Sequence, residues 1–120
     1  MNSALLQTIF EILEEAEKSN PDKPWEFSKL QPRGSKNSTL EIFKDLEFLN
    51  LISEHEASPL NEARWIKLEY QGEELLRLLR DTALQTRLDI LMQKLAVPPT
   101  VAIVCKLAEE IMAKAEEDQD

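Results

Sequence analysis

Between residues 38 and 81 the chain spells a helix, two short strands and a second helix with little chain to spare between them, and few folds accept that order. Residues 38–51 (STLEIFKDLEFLNL) bring Leu40, Phe43, Leu46 and Leu49 round at steps of three, joined by Ile42 and Phe48, while Glu41, Lys44, Asp45 and Glu47 occupy the other side. Ser38 followed by Glu41 reads as a capping box: the hydroxyl accepts from a backbone N–H three residues on, and the carboxylate reaches back to the cap. Residues 52–56 and 64–69 alternate or nearly so, with Trp65, Ile66 and Leu68 apolar, and Ser58, Pro59, Asn61 and Glu62 supply the loop between two strands. Residues 71–81 (QGEELLRLLRD) then start the second helix.

The flanks are also helical in pattern. Residues 3–18 place Leu5, Leu6, Ile9, Phe10, Ile12, Leu13 and Ala16 on one broad face, and Asn20-Pro21 ends the helix. Residues 22–37 (DKPWEFSKLQPRGSKN) are irregular; Pro24 can open a short helix in which Trp25, Phe27 and Leu30 cover the bottom of the core. After Asp81, Leu84, Leu88, Leu91 and Leu95 make a narrow stripe of helix-pairing type, broken by Pro98-Pro99. The last helix, residues 100–115, carries Val101, Val104, Ala108, Ile111 and Ala115 on one face, and an acidic tail follows over 116–120. With two glycines in 120 residues, the expected fold is mostly α with a small β-hairpin. It divides into a core over 1–81, a helical extension over 82–115 used for packing or dimerisation, and the tail.

Helix, hairpin, helix is the order of a winged helix-turn-helix. The junction Leu68-Glu69-Tyr70-Gln71-Gly72-Glu73-Glu74-Leu75-Leu76 resembles the "L-T-x-x-G-x-x-F/L-L" strand-to-helix junction of many prokaryotic winged-helix proteins. With Arg80-Asp81-Thr82 it is similar to a small family of bacterial and phage proteins without assigned function, domain-of-unknown-function family 2513. The resemblance extends loosely from the first helix, through Leu46 to Ile52, to the helix beginning at Pro98. It implies a winged-helix core, and the two helices read after Asp81 exceed what a minimal winged helix requires. Glu69 stands where that pattern has Thr, and a carboxylate can still cap the helix.

Charge separates along the chain. Residues 23–44 hold Lys23, Lys29, Arg33, Lys36 and Lys44 against Glu26 and Glu41, a balance of +3, so a net charge of −9 leaves −12 elsewhere. Residues 109–120 alone stand at −5. The first functional reading is a DNA-binding transcriptional regulator of bacterial or phage origin. In it Lys29, Arg33, Lys36 and Lys44 contact phosphates, Asn37, Ser38 and Thr39 approach base edges, and Arg64 is the cation of the hairpin, a poor phosphate clamp beside Glu62. A homodimer through the terminal helices would set two basic windows on one face of a duplex; the other arrangement folds those helices back on their own chain. The second reading is a non-enzymatic interaction module that has lost DNA binding and binds a host protein, favoured by Glu41, Asp45 and Glu47 on the helix that would read DNA.

No catalytic set, phosphate loop or metal-ligand cluster stands out, so neither an enzyme nor a cofactor is expected. Cys105, the single cysteine, falls among Val101, Ile103, Val104 and Leu107 and reads as a buried structural thiol. His55, the single histidine, reads as a solvated strand residue between Glu54 and Glu56. No apolar run reaches the roughly 18 residues of a membrane span, and glutamates interrupt the first helix where a signal peptide would be apolar. The expected location is the cytoplasm.

Overall fold

The structure is a computed structural model that describes residues 3–25, 36–58 and 63–117. Their elements are α1 (Ala4–Lys18), α2 (Lys36–Phe48), β1 (Ile52–Ser58), β2 (Ala63–Leu68), α3 (Tyr70–Arg80), α4 (Thr82–Gln93) and α5 (Val101–Glu117). The protein is thus mostly helical with one small antiparallel hairpin, as its periodicities predict. Phe27 and Leu30 of the expected short helix, the hairpin loop at Pro59, Asn61 and Glu62, and most of the acidic tail lie outside the described residues.

In α1 the Ser3 hydroxyl accepts from the Leu6 N–H at 3.3 Å, satisfying one of the donors that a helix start leaves open. Leu6, Ile9, Ile12, Leu13 and Ala16 form its buried face. The chain turns extended at Ser19, and the Asn20 Oδ1 accepts from the N–H groups of Asp22 and Lys23 at 2.8 and 3.0 Å. This segment then covers the outer edge of β2: the Ile66 N–H donates to Ser19 Oγ at 3.0 Å, and the Trp25 N–H donates to the Arg64 carbonyl at 3.1 Å. A sheet of two strands leaves unpaired groups along its edges, and here two of them are satisfied by the α1–α2 connection. Trp25 stacks on Phe43 of α2 with ring centroids 5.0 Å apart, so it does cover one end of the core.

Two expectations for α2 are corrected. Backbone helix begins at Lys36, which puts Ser38 inside the first turn, so the Ser38/Glu41 pair is not a capping box; a capping residue needs an extended backbone. The helix also stops at Phe48 rather than Leu51. Asn50 adopts a left-handed φ of 64°, its N–H donates to the Glu47 carbonyl at 3.1 Å, and the Leu51 N–H donates to the Leu46 carbonyl at 2.9 Å. That pair of bonds is a Schellman closure, sealed by the buried side chains of Leu46 and Leu51.

The hairpin runs in register from Ile52↔Leu68 to Glu56↔Arg64, slips by one residue, and closes at Ser58↔Ala63, two residues beyond the expected end of the first strand. Ile52 and Ile66 point into the core. After β2 the Glu69 N–H donates to the Leu51 carbonyl at 2.9 Å, and α3 begins against that same carbonyl. A Cβ at Gly72 would sit 2.2 Å from the Leu51 oxygen and 2.8 Å from Leu68 Cδ1, so the first turn of α3 can lie there only with glycine at this position.

Asp81 ends α3 and caps α4, its Oδ1 accepting from the Leu84 N–H at 3.1 Å. Thr100 caps α5, with its Oγ1 accepting from the Ile103 N–H at 3.2 Å. The faces predicted for helix pairing are used within the chain. Leu88 and Met92 of α4, and Val101, Val104, Ala108 and Ile111 of α5, join one continuous core with α1, α2, α3 and the hairpin. In the single chain the terminal helices therefore fold back on it, the second of the two arrangements considered for them. No helix among the described residues is long and apolar enough to cross a membrane.

Candidate functional site

The residues expected to meet DNA separate into three groups. Lys29 and Arg33 lie outside the described residues; Lys36 and Asn37 belong to the first turn of α2, but their side chains are also outside them. Ser38 and Lys44 are exposed on α2. Thr39 is only 3% exposed, so it does not approach a base edge; it turns inward with Phe43 and Leu46, one helical turn and two turns on. Arg64 is exposed, and its Nε donates to Glu54 Oε1 at 2.7 Å across the hairpin, which offsets part of its charge; Glu62 lies outside the described residues.

What α2 does present is a different surface. Leu40, Lys44 and Phe48 step by four residues down one side of the helix, flanked by Glu41 and Asp45, all exposed. Leu40 is 39% exposed and Phe48 84%. Among the described side chains of α2, Lys44 is the one cation on this face. Base readout relies on side chains that donate or accept at base edges, each good bidentate pair worth about 1–3 kcal/mol. On this face Lys44 is the one such donor, set between two apolar side chains, and the neighbouring carboxylates repel phosphate.

On the outer face of the hairpin lies a cluster that sequence reasoning missed. The Ser53 hydroxyl donates to Glu69 Oε1 at 2.6 Å and lies 2.7 Å from His55 Nε2. The His55 ring stacks on Trp65, its cross-strand neighbour, at 4.8 Å. Glu69 is the residue before α3, and its side chain does not cap that helix, contrary to expectation, because Ser53 holds it. The only early signal was Ser and His two apart on one strand, which places both on one face. The single hydroxyl proton goes to the carboxylate, so the imidazole must donate from Nε2 for the second bond to form. A nucleophilic serine needs the reverse, an imidazole that accepts its proton. The chain of bonds instead ties β1 to the start of α3, and His55 is stacked and bonded rather than merely solvated.

Cys105 is half-buried on α5, and burial together with the Glu109 carboxylate pushes its thiol up to about 11, the behaviour of a packing residue. It borders a groove of about 380 Å³ between α3 and α5, floored by Leu51, Leu75, Leu78 and Met112. A second cleft, where the end of α1 meets β2 and α3, is crossed by Arg80, which holds Glu17 through two bonds of 2.8 and 3.1 Å and reaches Glu14 at 3.5 Å. Among the described residues, no three His, Cys, Asp or Glu side chains converge as a metal site would require.

Comparison with known proteins finds no match to this chain among protein-family models, curated proteins or solved structures.

Proposed function

We propose that the protein is a non-enzymatic interaction module built on a winged-helix core, and that the exposed face of α2 contacts a protein. The observation that carries this reading is the Leu40, Lys44, Phe48 stripe with Glu41 and Asp45 beside it. Large aromatic side chains left in water on a rigid helix are the usual anchors of protein contacts, whereas charge-rich edges add selectivity. The winged-helix reading is supported by the order α2, hairpin, α3, by the close seat of Gly72 on the Leu51 carbonyl, and by the edge of β2 bonded to the segment after α1. The helix that would precede α2 in such a core falls in residues 26–35, outside the described residues. The resemblance of residues 68–76 to the bacterial and phage family agrees with this architecture.

Affinity capture from nuclease-treated extract tests the proposal. The wild-type chain should retain one stoichiometric protein, and the Leu40→Ser/Phe48→Ser variant, altered only at exposed positions, should lose it. A capture profile identical for the two proteins would sink the reading.

DNA binding is the second reading, favoured by the +3 balance of residues 23–44, with Lys44 exposed on α2. A mobility shift at low salt that is lost in Lys36→Glu/Lys44→Glu would support it, since each phosphate contact removed lowers both affinity and its salt dependence.

A further inference from the structure

The groove between α3 and α5 carries an inference of its own. Its floor is apolar, and Leu75 and Leu78 of α3 contribute to it from the core. Its charged lining residues are Glu74 from α3 and Glu109 and Glu116 from α5, with no lysine or arginine among the residues that line it. Tyr70 stands at its mouth, 72% exposed. Arg77 offsets Glu74 through a 2.6 Å bond, whereas among the described residues no cation is paired with Glu109 or Glu116. The charge of Glu109 reaches into the groove, where it contributes to holding the Cys105 thiol neutral.

We infer that this groove receives a basic amphipathic helix from a protein partner, its apolar face on Tyr70, Met112 and Ala113 and its lysines or arginines opposite Glu109 and Glu116. The inference rests on the protein-binding reading and assigns it a second surface. Length agrees with charge. From Cys105 to Glu116 the α5 wall rises about 16 Å, three helical turns, and Glu109 and Glu116 lie two turns apart, so cations seven residues apart on one partner helix can meet both. A nucleic acid is repelled by this rim. A second copy docking the same face would bring the uncompensated Glu109 and Glu116 against another such pair, because a two-fold contact opposes each patch to itself.

The test uses the full chain and a fluorescent 16-residue leucine/lysine amphipathic peptide, with the leucine/glutamate peptide of the same pattern as control. Anisotropy should show saturable binding of the lysine peptide alone, weakened at least tenfold in Glu109→Lys/Glu116→Lys, and less in the milder Glu109→Gln/Glu116→Gln. Amide shifts in the labelled protein should cluster at Tyr70, Glu74, Glu109, Met112 and Glu116, and Leu40→Ser/Phe48→Ser should bind the peptide as wild type does. Sedimentation of the chain alone should show no dimer sensitive to the Glu109/Glu116 changes. Absence of saturable binding, shifts centred elsewhere, or a dimer that Glu109→Lys/Glu116→Lys dissolves would overturn the groove's assignment. The α2 reading stands or falls separately on its own capture experiment.

Discussion

At the scale of single residues, the junction between hairpin and α3 is held by positions that tolerate little change. Gly72→Ala forces a methyl against a backbone carbonyl that already accepts the Glu69 N–H, and neither partner can give without moving a whole element. The expected cost is about 2–3 kcal/mol, the upper range for overpacking, read as a lower urea midpoint with unchanged slope. Asn50 is more permissive in a specific way. Its left-handed φ should make Asn50→Gly nearly neutral and Asn50→Ala costly by about 1 kcal/mol. Cys105 provides a pH-dependent readout. Since burial and Glu109 raise its thiol to about 11 from 9.0, native protein at pH 8 should alkylate about a hundredfold more slowly than unfolded chain. A raised pKa means that the folded state prefers the neutral thiol, so this contribution to stability is intact below about pH 9 and is lost as pH rises toward 11.

At the scale of elements, the ion pairs joining α3 to α1 bind weakly and titrate in one direction. Two hydrogen bonds from Arg80 hold the Glu17 carboxyl below its ordinary range, so the pair stabilises at neutral pH and ceases to do so as pH falls through that lowered value. Both side chains are partly in water, and a double-mutant cycle with Glu17→Ala and Arg80→Ala should return a small coupling at pH 7 that shrinks further in high salt. The elements themselves were legible because each repeats its apolar residues at a clear period, and α1, α3 and both strands lie close to where periodicity sets them. The ends of α2 were not. A serine three before a glutamate looks the same whether the helix starts there or two residues earlier, and a Schellman closure depends on the φ of Asn50, which the letter alone does not specify. The candidate site was less legible than the fold. A threonine on an amphipathic helix can face either way near the boundary of its apolar stripe, and Thr39 falls inward; Arg64 and Glu54 lie ten residues apart and meet only through the hairpin register.

At the scale of the whole molecule, one hydrophobic core links the helix-hairpin-helix centre to both terminal helices, and two surfaces beside it set apolar side chains next to carboxylates. A net charge of −9 gives the chain a long-range field that attracts cations and repels phosphate. Photo-crosslinking with p-benzoylphenylalanine in place of Phe48, in cells that make the chain, tests whether the exposed face of α2 is a protein contact. One discrete adduct with a second protein is expected, surviving nuclease treatment and absent when the probe replaces the exposed Ala102 instead. Crosslinking to nucleic acid from position 48, or adducts equally abundant from position 102, would contradict it.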